Sequence, residues 1–332
     1  MYAKMHLIRF IAILTMVGIG LLVTACKKSE DDPGLQTVSC DEANNANAEN
    51  ITIFPADHPL NQDISQKAID PNSSAILTNI GLTQGLFPDF GSGTFNGSII
   101  GIPYVVVCSN QPEVEVVFRA NSYDGNYGDE SDQGPFPIPL DAPIEGNGVG
   151  DSHVIAVDVE NGILYELYNA SVNGNTWEAS SAAKFDLKTT EFRTDGWTSA
   201  DAAGLPIWPC LVRYEEIEKG VIDHPIRFTL ARSKIGRYVH PARHLVNTTQ
   251  ADNQLPFGGI LRLKADFDIS GYSKTNQVIL TAMKKYGIIL ADVGSSMFIS
   301  GAPDERWGND DLKQLRQVKV SDFDVIELGT IK

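Results

Sequence analysis

Residues 151–169 hold the densest set of groups able to do chemistry in this 332-residue chain. Two apolar stretches flank Asn161-Gly162, a pair that favours a two-residue type I′ turn because both positions take positive φ. That turn sets Glu160 opposite Ile163, Val157 opposite Glu166, Ile155 opposite Tyr168 and His153 opposite Ala170. Alternation along the strands then puts Asp151, His153, Ile155, Val157, Leu164, Glu166 and Tyr168 on one face. His153 and Tyr168 become diagonal neighbours, about 7–8 Å apart. Two acids, an imidazole and a phenol along an apolar sheet suit a sugar-binding groove, with aromatic surface for stacking and titratable groups for hydroxyls or proton transfer. A structural reading stands beside it: the same groups solvated on an open face, or His153 hydrogen-bonded inside a core.

Further candidates follow along the chain. In the turn-rich stretch 196–206, Ser199 or Asp201 can cap a short helix, and Asp201 can instead point into a pocket as an acid or base. The stretch lacks the spacing of a nucleophile elbow. Between 224 and 244, His224, Arg227, His240, Arg243 and His244 concentrate imidazoles and guanidiniums in a chain with only six histidines. Pro241 interrupts His240 to His244, so a helical metal-ligand pair is not expected there. Arg227 and Arg243 suit a carboxylate or sulfate on an anionic sugar, or ion pairs with nearby acids. Arg306 and Trp307 can line a binding edge, or Trp307 can staple the last helix to the core.

These groups need a scaffold, and the pattern predicts a mainly β one. Candidate strands cover 102–108, 113–119, 153–159, 163–169, 179–186, 211–214, 226–230, 259–265, 288–291 and 297–300. One helix is capped by Ser273, carries Val278, Ile279, Ala282, Met283 and Tyr286 on one face, and ends at Gly287. A weaker one spans 310–317. Many strands with few helices suggest a β-sandwich or jelly-roll-like fold with one or two C-terminal helices. The stretch 121–150, rich in Gly, Pro and Asp, is a long excursion of the kind that is functional or disordered. The domain plan is a leader at 1–25, a polar tether at 26–50 and a single β-rich domain at 51–332.

The balance of 42% hydrophobic and 20% charged residues excludes disorder and coiled coil. The formal charge is −16, and −18 without residues 1–25, whose only basic residues are Lys4 and Arg9. Such a surface repels phosphate backbones, so no nucleic-acid partner is expected. At the amino terminus, residues 10–23 form an apolar run too short to span a bilayer. It ends at Val23-Thr24-Ala25-Cys26, which resembles a bacterial lipobox and implies lipidation of Cys26, with the membrane reached through that anchor alone. Lys27-Lys28-Ser29-Glu30-Asp31-Asp32 resembles the acidic export tag of Bacteroidota surface lipoproteins, which implies the outer membrane and its outer face. Of the remaining thiols, Cys40 can pair with Cys108, whereas Cys210 reads as a small buried hydrophobe. No thiolate metal site is spaced in the chain. A structural Ca²⁺ in the acidic 124–132 loop lacks EF-hand spacing, so no cofactor is expected.

Several stretches taken together, Phe54-Pro55-Ala56-Asp57-His58-Pro59-Leu60-Asn61, 153–168, 196–206, 238–244, 286–292 and 300–307, are similar to a family of secreted bacterial proteins. That family has no assigned activity and often occurs beside carbohydrate-processing enzymes. The resemblance implies a glycan context and supplies no catalytic residues. The expectation is a cell-surface enzyme acting on a polysaccharide or oligosaccharide, either a glycoside hydrolase or a polysaccharide lyase. The catalytic candidates are Asp151, His153, Glu166, Tyr168 and Asp201. Arg227, Arg243, His224, His244 and Trp307 are the substrate-binding candidates. A non-catalytic glycan-binding lipoprotein is the alternative.

Overall fold

The computed structural model describes residues 48, 51–120, 126–249 and 251–332. The leader, Cys26, most of the tether, Cys40 and Asp124 lie outside them. Cys108 is disulfide-bonded, and Cys210 is free and buried. The fold is mostly strands, arranged in several sheets with few helices. Among the described residues no helix is long and apolar enough to cross a membrane.

The largest sheet has six strands, in the order Phe87–Asp89, Phe298–Ser300, Ile226–Leu230, Ile288–Val293, Ile260–Leu263 and Phe323–Val325. Its inner strands are mostly apolar, since both faces are covered, and are interrupted by Arg227, Thr229, Arg262 and Asp292. Ile226–Leu230 and Ile288–Val293 run parallel, as do Phe87–Asp89 and Phe298–Ser300, and the other pairs are antiparallel. Parallel pairs are a feature that the expectation of a jelly roll did not include. The second sheet has four strands, Ser181–Asp186, Ile163–Tyr168, Val154–Asp158 and Val105–Val107.

Nine of the ten expected strands have a counterpart. The exception is 211–214, where Val212 makes an isolated bridge to Gly301 and the helix Tyr214–Lys219 begins. The helix at 274–285 forms as expected: the Ser273 hydroxyl accepts from the Asn276 amide, and Gly287 follows with φ of 76°. Residues 309–317 make a short helix that continues as a 3₁₀ turn. The helices Ser73–Ile80 and Tyr214–Lys219 were not anticipated.

The central hairpin pairs differently from the expectation. Asp158 faces Ile163, Val157 faces Leu164 and Ile155 faces Glu166, a shift of two residues. The cause is local. Both Asp158 carboxylate oxygens accept from Asn161, one from its backbone N–H at 2.9 Å and one from its side-chain amide at 2.8 Å. Only Gly162 of the Asn-Gly pair takes positive φ, so the loop widens to four residues. A one-residue slip would have turned every side chain over, but a slip of two keeps the faces. Ile155, Val157 and Leu164 accordingly pack into the larger core with Phe228, Leu261 and Ile289, while Val154, Ala156 and Leu167 meet Trp177, Phe136 and Ile138 in a smaller one.

Candidate functional site

The site forms where the two parallel strands of the main sheet approach the hairpin sheet. Arg227 pairs with Ile289 and Phe228 with Leu290, and the register then jumps so that Thr229 faces Asp292. The extra residue, Ala291, is a bulge of the kind that re-aims a side chain. Arg227 is buried and saturated. Its Nε donates to Asp201 Oδ2 at 2.7 Å, its Nη2 to Asp201 Oδ1 at 3.0 Å and Asp292 Oδ2 at 2.8 Å, and its Nη1 to Ser300 Oγ at 2.7 Å.

Asp201 is delivered by the 196–206 turn. The Ser199 hydroxyl accepts from the Asp201 amide at 2.9 Å and donates to Leu205 O at 2.6 Å. Gly204, with φ of 68°, closes the turn, and a Cβ there would sit 2.5 Å from Trp197 O. No helix forms at 196–206 for either residue to cap; Ser199 braces the turn and leaves the Asp201 carboxylate for Arg227.

His153 is locked behind this turn. Nδ1 lies 2.6 Å from Glu145 Oε2 and Nε2 lies 3.0 Å from Ala200 O. Both partners are acceptors, so both ring nitrogens donate and the ring is an imidazolium. Burial opposes that charge, but the Glu145 carboxylate overcomes it and raises the His153 pKa to about 10. Beyond it lies a cavity of about 300 Å³ walled by Tyr127, Asp151, Tyr168, Asp201, Arg232 and Asp292, among others. The Tyr168 ring sits 5.8 Å from that of His153. Burial, with Asp201 and Asp151 adding repulsion, raises the Asp292 pKa well above the usual carboxylate range, against the pull of Arg227 and His153.

Three of the five catalytic candidates therefore meet at one cavity: Asp151, Tyr168 and Asp201. His153 stands behind the wall as a fixed cation, not as a base. Glu166 is a correction. It is fully buried, and its carboxyl accepts from the amides of Ile207 (2.9 and 3.1 Å) and Trp208 (2.9 Å), which makes it an internal anchor away from the cavity.

The binding candidates scatter. Arg227 is spent on its three partners. Arg243 stacks over Phe192, 5.1 Å from its centroid, and lies 3.8 Å from Asp195. His244 approaches the site, donating from Nδ1 to Ala202 O at 2.8 Å with its ring edge toward Tyr127. His224 lines a different cavity of about 430 Å³, where Glu216 bridges it to Arg213. Trp307 is a further correction: it is buried against Phe90 and Tyr214 and donates to Ala302 O at 3.0 Å, so it is the staple and offers no binding edge.

Sequence reasoning missed Tyr127, Glu145, Arg232 and Asp292. Tyr127 and Glu145 belong to the 121–150 excursion, whose length was the available signal. Asp292 is an acid at the end of an otherwise apolar strand, a place where only function or pairing justifies a carboxylate. Among the described residues no cluster of His, Cys, Asp and Glu is arranged to hold a metal ion. No family model, curated protein or solved structure matches the chain.

Proposed function

We propose that this chain is a glycan-active enzyme of the glycoside hydrolase type, tethered to the outer face of the outer membrane by lipid on Cys26. The observation that carries the reading is the pairing of two unlike carboxyls on one cavity wall. Burial and acidic neighbours push the Asp292 pKa well above the usual carboxylate range, against the pull of Arg227, whereas Asp151 is exposed. Carboxyls whose surroundings differ in this way divide the roles of acid and base.

In this reading Asp292 gives its proton to the glycosidic oxygen as the bond to the anomeric carbon breaks. Asp151 either takes a proton from the attacking water or adds to that carbon before water releases it. Tyr127 and Tyr168 supply ring faces and hydroxyls for the sugar. Asp201 stays on Arg227 and holds the electrostatics of the wall. The bulge at Ala291 and the imidazolium at His153 keep both carboxyls in place. We read the two larger sheets, which share one apolar core, as the layers of a sandwich-like scaffold for this site.

Hydrolysis is favoured over a lyase reaction by the state of the histidines. His153 has no lone pair to offer, His224 is buried against Glu216 at a different cavity, and His244 is not among the residues that wall this one. The test is incubation of the purified protein with a panel of polysaccharides. New reducing ends without absorbance near 235 nm support hydrolysis, and that absorbance would indicate an unsaturated uronate and a lyase. A mobility shift in polysaccharide-containing gels with no product would leave glycan binding alone.

A further inference from the structure

The charges around the cavity nearly cancel in pairs. Arg227 answers Asp201 and also donates to Asp292, and the His153 imidazolium answers Glu145. Two charged residues of the wall remain without an ion-pair partner among the described residues: Asp151 and Arg232. Asp151 is used in the proposed chemistry. Arg232 is not, and among the described residues it is the only cation on that wall.

Arg232 follows directly on the strand Ile226–Leu230 that carries Arg227, in the short 3₁₀ turn Arg232–Lys234. It is exposed, and its Nη1 donates to Asn247 O at 2.5 Å. That bond orients the guanidinium, while Nε and Nη2 make no hydrogen bond to a described residue. The half-buried Tyr127 lies on the same wall, and its phenol feels both Asp292 and Arg232. One cavity wall therefore carries a carboxyl, a tyrosine and an oriented guanidinium with open donors. An anionic group on a sugar bound in this cavity would meet that fork. A planar carboxylate matches it in two parallel hydrogen bonds.

We propose that the substrate is an acidic glycan and that Arg232 binds the carboxylate of a uronic acid residue beside the bond that is cut. The inference rests on the hydrolase reading for the second half of that statement and deepens it by naming the substrate class. Arg232 determines specificity and takes no part in proton transfer. Because it is exposed and outside both cores, its replacement leaves the fold intact.

The test compares uronate-containing polysaccharides before and after chemical reduction of their carboxyls to primary alcohols, which removes the charge and keeps the backbone. Binding is read by affinity electrophoresis and cleavage by reducing ends, for wild type, Arg232→Met, Arg232→Lys and Asp292→Asn. Wild type is expected to bind at least one native polymer about tenfold more tightly than its reduced form, the size of one charge-assisted contact at a rim. Arg232→Met binds both forms alike, Arg232→Lys recovers part of the difference, and Asp292→Asn keeps it. Equal binding of native and reduced polymers, retention of the preference in Arg232→Met, or no binding to any uronate polymer each overturns the inference. Discrimination that depends on Arg232 but comes without cleavage leaves the inference standing and refutes the hydrolase reading. Cleavage of neutral polymers alone does the reverse.

Discussion

Glu166 offers a stability test whose sign and size follow from its position. Its carboxyl is sealed between the hairpin and the 207–208 backbone, and burial outweighs the two amide donors, so its pKa is pushed up to about 7 from an ordinary 4.5. Below pH 4.5 the group is protonated in the folded and unfolded chain alike, and it contributes no pH dependence. As pH rises from 4.5 to about 7, the unfolded chain releases the proton while the fold retains it. Stability therefore falls through this window and levels off above it. At 1.36 kcal/mol per pH unit the loss amounts to about 3 kcal/mol. In Glu166→Gln the amide oxygen can still accept from Ile207 and Trp208, and nothing ionises. Urea unfolding followed by tryptophan fluorescence, run from pH 4 to pH 8 on both proteins, reads the difference directly. The variant should gain about 3 kcal/mol relative to wild type across that range. Parallel stability curves, or a gain for wild type at high pH, would refute the reasoning.

Two other substitutions probe the scaffold. Trp307→Ala removes the indole packed between Phe90 and Tyr214 together with its bond to Ala302, and should cost about 3–5 kcal/mol in urea unfolding. Loss of less than about 1 kcal/mol would show that Trp307 is no staple. Arg227→Met leaves the fully buried Asp201 without its cation and should cost a similar amount, about 3–5 kcal/mol at pH 7. Urea unfolding of wild type and variant at pH 7 reads that deficit, and a loss below about 1 kcal/mol would contradict the role of Arg227 as the buried counter-charge of Asp201.

The sequence made much of the scaffold legible because its signals were local. Alternation marked the strands at 154–158, 163–168 and 226–230, and Ser273 with Gly287 marked both ends of the long helix. The hairpin register was misread because Asp158 reaches forward to Asn161, and no turn rule based on Asn-Gly alone includes that side chain. The faces survived only because the slip was even. Which face was buried was not readable, since both are: the sheet lies between two apolar cores, which is why Glu166 ended as an internal anchor. Asp151, Tyr168 and Asp201 were legible as polar groups at strand ends and turns. Their companions were not. Asp292 depends on a bulge at Ala291, Tyr127 and Arg232 reach the cavity from segments distant in the chain, and Glu145 reaches His153 behind it, contacts that only the tertiary fold creates.

The most direct measurement of the central claim is reducing-end release from the polysaccharide panel by wild type and Asp292→Asn side by side at neutral pH. Wild type should cleave at least one polymer, and Asp292→Asn, which keeps the shape of the side chain but has no proton to give, should be at least about 100-fold slower. Equal rates for the two proteins would contradict the assignment of Asp292 as the proton donor, and no release by wild type from any polymer would contradict the hydrolase itself.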